Sequence, residues 1–455
     1  MKMNFRKISL LLLANLVGLS LMAEGYQLNS QSTRQIGMGH IGTALRLGSE
    51  SMVFNPAGLS FMKSSTELSL GATGIISKVN YTSGSYSVDS DSPIGTPLFI
   101  YAATSISDKF FAGISVTNPA GNSLVWPDNW SGSHLVQNIT LKTFAIQPTI
   151  SYKISDQWSI GAGLTINLGS FNLNKGMVPV GALTPYLGVA GFPQNLKDII
   201  TATQELSPLN INLAGNADFA LGVNVGILFT PSDDWSIGLS YRSKVKMSVS
   251  SGLASVDYGA SSLSAVFSAL TGDPTSPLFN AQLAGALSLD KANFSAELPI
   301  PSNLQFGVAF KPSCNLLLSA ELQYVGWKAY DKLVIDFGNP LFNSVQQKNF
   351  TNSMIYRVGG EYYPTDKVTL RAGLIYDTTP VDLTLYSPET PGANKISATA
   401  GLSLNFSQKV ALDLAVQYLN GALTEGSVPV SPTETFSGQY KSKALLPSLG
   451  LRLSF

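Results

Sequence analysis

The sequence predicts an all-β protein: a closed antiparallel transmembrane barrel of about 14 strands, with an N-terminal plug inside its lumen. Three observations carry that expectation. Of the 455 residues, 44% are apolar but only 12% are charged, where a soluble domain carries about 25% charged residues. Apolar and polar residues alternate with a period of two over much of the chain, and no apolar run beyond the first residues is long enough for a spanning helix. Connections between the alternating runs are short and long by turns, the layout of a barrel with tight turns at one rim and loops at the other. The formal net charge of zero leaves no basic footprint for nucleic acid.

The chain opens on Lys2, Arg6 and Lys7, then an apolar stretch from Ile8 to Leu21, then the small residue Ala23. That order reads as a secretory signal over residues 1–23, too short for a membrane anchor, with the mature chain starting at Glu24. Residues 24–62 break the strand pattern. They are rich in Gly, Ser and Asn and too short to form a domain, so they need a surface to fold against. The lumen of the barrel formed by 63–455 is the nearest one.

Tight turns are expected at Ser107-Asp108-Lys109-Phe110, Ser155-Asp156-Gln157-Trp158, Ser232-Asp233-Asp234-Trp235, Thr365-Asp366-Lys367-Val368 and Ser407-Gln408-Lys409-Val410, with a further turn near 313. Ser and Asp close such turns by bonding their own backbone. Long loops are expected at 81–94, 118–137, 174–215, 251–290, 336–353, 378–394 and 419–441. The strands between are 66–80, 95–107, 109–117, 138–154, 157–173, 216–231, 234–250, 292–311, 315–335, 354–364, 367–377, 395–406, 409–418 and 442–455. In 410–418, Val410, Leu412, Leu414, Val416 and Tyr418 face one way, and Ala411, Asp413, Ala415 and Gln417 the other. Closure follows because an open edge in hydrocarbon leaves N–H and C=O groups unpaired, at several kcal/mol each. Phe110, Trp158 and Trp235 beside the tight turns form an aromatic girdle.

Ordered along the chain are Gly25-Tyr26-Gln27-Leu28-Asn29, Asn55-Pro56-Ala57, Tyr241-Arg242-Ser243-Lys244-Val245-Lys246, Leu298-Pro299, Trp327, Tyr356-Arg357 and Asp377-Thr378-Thr379-Pro380-Val381. The set resembles the FadL/TodX family of outer-membrane transporters of long-chain fatty acids and other hydrophobic compounds. The resemblance implies a plug, or hatch, carrying Gly25, Tyr26, Leu28, Asn29, Asn55, Pro56 and Ala57. It implies a ligand groove on two long loops, where Met177, Val180, Tyr186, Leu187, Phe192, Leu263, Phe267 and Leu270 stand. It also implies lateral exit where the third strand is kinked, here at Asn118, Pro119, Ala120 and Gly121, since Pro lacks a ladder donor.

Alternation puts Arg242, Lys244 and Lys246 on one inward face, and lets Glu361 and Arg371 pair across neighbouring strands. The family's carboxylate-holding basic residues have no clean counterpart; Ser170 and Asn172 stand in their place. The expected ligand is therefore a hydrophobic small molecule or fatty acid. Other expected partners are outer-membrane lipid, lipopolysaccharide and, through Phe455, the barrel-assembly machinery. No cofactor and no metal site are expected, and Cys314 is the single cysteine. An enzyme is disfavoured because the two histidines, His40 and His134, sit in no local motif. A general diffusion porin and a surface adhesin remain as alternatives.

Overall fold

The computed structural model describes residues 25–431 and 434–455. The signal segment expected at 1–23 lies outside them. Fourteen antiparallel strands close into one cylinder. They are β1 (Thr66–Thr73 and Ile76–Ser83), β2 (Leu98–Ser105), β3 (Phe110–Thr117 and Gly121–Val125), β4 (Asn138–Lys153), β5 (Trp158–Gly176), β6 (Leu209–Phe229) and β7 (Trp235–Arg242 and Val245–Tyr258). Then come β8 (Asn293–Ile300 and Asn303–Ser313), β9 (Leu316–Val325 and Lys332–Asp336), β10 (Ser344–Gln347 and Ser353–Thr365), β11 (Val368–Asp377), β12 (Lys395–Asn405), β13 (Val410–Gly421 and Thr424–Ser431) and β14 (Glu434–Ser454). Each strand pairs with its chain neighbour, and β1 pairs with β14 from Glu67↔Ser454 to Thr73↔Ser448. The closing ladder removes both sheet edges, which lipid requires.

The faces are inverted relative to a soluble sheet. Leu239, Phe306, Leu318, Leu374, Leu414 and Leu449 lie exposed on the outside, Leu374 at 55%. The inner face of the wall buries Ser69, Gln147, Asn224, Gln323, Thr399 and Asp413. An apolar belt of this extent would not persist in water; hydrocarbon satisfies it. At the tight-turn rim Phe110 packs on Tyr152 (4.7 Å), Trp158 on Phe229 (4.2 Å) and Trp235 on Phe310 (4.4 Å). The turns close as their composition dictates: Ser155 Oγ accepts from Gln157 N and Trp158 N at 3.3 and 3.1 Å.

Several strands run past their expected ends. β6 starts at Leu209, β7 continues to Tyr258, and 419–441 is a long hairpin of β13 and β14 rather than a loop. These extensions stand beyond the apolar belt, where ladder bonds persist without lipid-facing residues to announce them. Three helices, α3 (Gln194–Thr203), α4 (Leu263–Thr271) and α5 (Ala281–Leu287), cap the loop end.

Residues 25–62 fold as two short helices, α1 (Thr33–Gly37) and α2 (Ser51–Phe54), with 3-10 turns at Gly48–Glu50 and Pro56–Phe61. Ser32 Oγ caps α1 by accepting from Gln35 N at 3.3 Å, and Asn55 Oδ1 caps the second 3-10 turn through Ala57 N at 3.1 Å. Contacts of α1 run to β11–β14 and β1, whereas those of Pro56–Phe61 run to β3–β6. The segment therefore reaches the wall on separate sides, and nearly every residue from Ser30 to Ser60 is buried.

Candidate functional site

Wall glycines make room for the buried segment. A Cβ at Gly401 would stand 2.8 Å from Gly37 Cα, at Gly373 2.5 Å from Gly39 N, and at Gly359 2.6 Å from Met38 O. Added at Gly226 or Gly238, it would collide with Asn55 Oδ1 or Thr43 O. Glycine in a strand costs stability, so its repeated use on the inner face marks where another backbone must approach.

Polar ties then hold the segment in place. Asn55, wholly buried, donates through Nδ2 to Thr43 O at 2.7 Å and to Ile227 O at 3.0 Å. Glu50 accepts from Ser32 Oγ and from Ser69 Oγ of β1, at 2.7 and 2.6 Å. Glu321 of β9 accepts from Gly42 N and Thr43 N at 2.9 and 2.8 Å, and pairs with Arg357 Nη1 of β10 at 3.0 Å. Thr33 Oγ1 meets Ser448 Oγ of β14 at 2.7 Å. Pro56 and Ala57 sit against β5, with Ser159 Oγ donating to Ala57 O at 2.9 Å. These contacts distribute the attachment around the bore.

The first residues of the segment meet the kink of the third strand. Pairing of β3 with β4 runs to Thr117↔Ala145 and resumes at Gly121↔Lys142, so Asn118, Pro119 and Ala120 oppose two residues as a bulge. The Asn118 side chain replaces ladder bonds, accepting from Leu98 N at 2.9 Å and donating to Thr143 O at 2.6 Å. From inside, Leu28 N donates to Pro119 O at 3.1 Å and Gly121 N to Tyr26 O at 2.9 Å, bridging Gln27 to Ala120. Gly25 lies against the Trp327 ring, and Tyr26 meets that ring edge-on at 4.9 Å and donates its hydroxyl to Pro299 O. Asn29 stands half-buried just beyond.

Beside this junction is a narrow apolar cavity of about 30 Å³, lined by Tyr26, Ala120, Leu141, Phe171, Ala217, Met247, Val249, Leu298, Ile300 and Leu333, with Thr143, Gly169, Ser170, Ala296 and Glu297 between them. Two of its polar members are already engaged. Thr143 Oγ1 donates to Ala120 O, and Glu297 pairs with Lys246 on the outer surface, where both are exposed. No Lys, Arg or His lines it.

The loop residues expected to form a groove are packed together. Phe192, Leu263, Phe267 and Leu270 are buried in one cluster with Val178, Leu196 and Ile200, while Met177, Val180, Tyr186 and Leu187 are half-buried around it. α3, α4 and α5 thus form an apolar cap at the loop end, their apolar residues packed on one another. A second clasp joins the interruption of β10 to the loop after β11: the buried Lys348 ammonium pairs with Glu389 and donates to Ser387 Oγ at 2.8 Å.

Burial pushes the Glu389 carboxyl up, but the Lys348 charge and the hydrogen bonds from Lys348 and Ser387 outweigh it and hold the group below its usual range. A depressed folded value stabilises above the unfolded pKa of about 4.3 and is lost as pH falls through the folded value. Protease nicking of 378–394 is therefore expected to appear as pH drops below about 4, and at neutral pH in Glu389→Gln.

The lumen charges divide. Arg242 turns inward and donates Nη2 to Val53 O at 2.7 Å. Glu361 accepts from Arg371 Nε at 2.6 Å within a buried set that includes Ser403 and Asp413. Lys244 and Lys246 do not share that face: both are exposed, and Val245 and Met247 are buried instead. Ser243-Lys244 of β7 and Pro301-Ser302 of β8 interrupt the two strands together in unchanged register, from Arg242↔Asn303 to Val245↔Ile300, and the β7 side chains beyond the break take opposite faces.

Glu321 and the wall glycines were not singled out from sequence, and Arg357 only within Tyr356-Arg357, without a partner. Inward positions of the alternation occupied by glycine were the available signal. Among the described residues, no three His, Cys, Asp or Glu groups are placed to hold a metal ion.

A model of the family described as outer membrane protein transport protein (OMPP1/FadL/TodX) matches residues 14–455. The long-chain fatty acid transport protein of Escherichia coli O6:H1 is 24% identical over 436 residues, covering 93% of each chain. Outer membrane protein P1 of Haemophilus influenzae is 22% identical over 472 residues, covering 95% of each. Among solved structures, a Pseudomonas aeruginosa FadL homologue superposes with a TM-score of 0.77 at 19% identity, covering 95% of this chain and 100% of its own. The P. putida toluene transporter TodX gives 0.66 at 16% identity, covering 96% and 99%. At these identities the structural likeness speaks for the fold.

Proposed function

Because this chain belongs to the OMPP1/FadL/TodX family of outer-membrane transport proteins, we propose that it moves uncharged hydrophobic molecules from the cell surface into the outer membrane. The ligand parts the apolar cap of α3, α4 and α5, enters the cavity, and leaves sideways at Asn118–Gly121 when Tyr26 and Leu28 let go of the kink. Residues 25–62 act as the plug, or hatch. Relatives named for fatty acids and for toluene bracket the ligand class. The cavity itself favours the uncharged end.

The observation that carries this reading is the cavity lining: apolar, beside the kink, and without a cation. Ser170 lines it where a carboxylate would need a basic group, and burying an unpaired carboxylate costs several kcal/mol or more. Lys142, Lys246 and Lys332, the lysines adjacent in sequence to lining residues, are all exposed. A hydrocarbon gains about 0.8 kcal/mol per buried CH₂ there, which drives entry without an energy source. Lys244 and Lys246 meet lipopolysaccharide phosphates, and the exposed Phe455 is read by the assembly machinery. A hydrolytic role finds no support, since His40 is buried in the plug.

Cells bearing the protein are expected to take up radiolabelled toluene faster than cells lacking it, with a smaller gain for oleate. Met247→Asp, which puts a carboxylate on the cavity wall, should remove most of the toluene gain. Entry equal to the control would overturn the proposal; an oleate gain exceeding that for toluene would reassign the ligand to amphiphiles.

A further inference from the structure

The wall has a second weak place, away from the kink. β6 and β7 pair from Ile237↔Phe229 to Arg242↔Asn224, and again from Leu253↔Ala214 to Tyr258↔Leu209. Between these runs the ladder is missing. Ser243 alone spans its lower end, donating N to Val223 O and accepting from Val223 N through Oγ, both at 2.9 Å. Beyond it, residues 215–222 of β6 keep partners only on β5, and the stretch following Lys244 in β7 keeps them only on β8.

The sequence builds this seam from both sides. β6 bulges at Asp218-Phe219, where Asn167↔Ala220 and Gly169↔Ala217 leave two residues of β6 facing one of β5. β7 bulges between Val249 and Gly252 against β8. Each bulge aims the strand's twist away from its neighbour. One side-chain bond joins them, from Ser250 Oγ to Asp218 Oδ1 at 3.1 Å. Two bulges placed opposite one another give up ladder bonds where a barrel has strong reason to keep them.

What lies on either face gives the seam a use. Behind it is the apolar cavity, whose lining includes Ala217 of the unpaired stretch of β6 and Met247 and Val249 of the unpaired stretch of β7. In front of it Phe219 and Leu221 are exposed at 70% and 56%, at the outer border of the apolar belt. Beside them stand Asp218 and Ser250, with the exposed Lys246–Glu297 pair on the β8 side of the seam. The path from cavity to lipid is thus apolar at both ends and crosses side-chain contacts rather than a backbone ladder.

We infer that the β6–β7 seam is a second lateral door, through which an uncharged hydrophobic molecule passes between the cavity and the outer leaflet. The Ser250–Asp218 bond is its latch. This rests on the transport reading above and adds a portal independent of the third strand.

The test is a reversible lock. In full-length protein carrying Cys314→Ser, Asp218→Cys and Ser250→Cys are joined in intact cells by a short, reducible bis-thiol reagent. Entry of the neutral probe N-phenyl-1-naphthylamine into the membrane is then followed by its fluorescence. Before cross-linking, the protein must speed probe entry over cells lacking it; if it does not, the transport reading itself fails. Given that gain, cross-linking is expected to lower the rate and dithiothreitol to restore it. A rate unmoved by a completed cross-link would overturn the second door while leaving transport intact. Heat-modifiable migration on a gel, unchanged by the reagent, separates a locked seam from an unfolded barrel.

Discussion

Replacing Glu321 with alanine is expected to detach residues 37–47 from the wall while the cylinder stays closed. The Glu321 carboxylate is the shared acceptor for Gly42 N, Thr43 N and Arg357 Nη1, and the Glu321 and Arg357 side chains are 0% and 1% exposed. Water cannot replace it. The substitution strands the Arg357 charge, at about 3–5 kcal/mol, and leaves two amides unpaired, at about 1–3 kcal/mol each. The β9–β10 ladder at Glu321↔Arg357 is main-chain and loses nothing. Hydrogen–deuterium exchange should therefore quicken in 37–47 and remain slow in 316–325 and 353–365. Glu321→Gln, which keeps an acceptor without the charge, should fall between. Unchanged exchange in 37–47 would show that the segment is held by packing alone.

Deleting residues 25–60 from the mature chain should convert a nearly closed barrel into an open pore. The inner face exposed by the deletion is polar, with Gln147, Asn167, Asn224, Gln323 and Thr399 on separate strands. Water would fill such a bore, as it does in barrels without an internal segment. The fourteen-strand ladder draws none of its own pairing from 25–60, so heat-modifiable migration should persist. Planar-bilayer recording should give large steady conductance from the truncated protein and little from the full chain. Equal conductance from both would mean that the segment does not block the bore, and would favour a diffusion porin.

The strands themselves were legible because lipid imposes a simple rule on them. Runs such as Val410–Tyr418 and Val368–Tyr376 show the outward apolar face without interruption, and their tight turns carry Ser or Asp at fixed places. Positions past a break were not legible. Lys244 and Lys246 follow the alternation on paper, yet the two-residue break at Ser243-Lys244, matched by Pro301-Ser302 on β8, leaves them exposed. Extension beyond the membrane is equally silent, so 419–441 reads as a loop although it pairs as a hairpin.

The loop residues Phe192, Leu263 and Phe267 were found as an apolar set. Whether such a set lines a groove or seals a cap depends on how α3, α4 and α5 meet, which no local pattern encodes. Glu321 was hidden for a similar reason: it looks like an ordinary polar inward residue until its cross-strand partner, Arg357, is known. Gly226, Gly238, Gly359, Gly373 and Gly401 left a trace, since glycine on the inner face of a strand has no intrinsic merit.

Transport past a lumen-filling segment requires that segment to move, and a bond across Thr33 and Ser448 tests this directly. Their hydroxyls meet at 2.7 Å between α1 and β14. With Cys314→Ser, the pair Thr33→Cys and Ser448→Cys would tie the plug to the wall on oxidation. A moving plug predicts that toluene uptake by cells carrying the oxidised protein falls to the level of cells without it, and recovers with reductant. Uptake unchanged by a completed bond would mean that the molecule passes with residues 25–62 fixed in place.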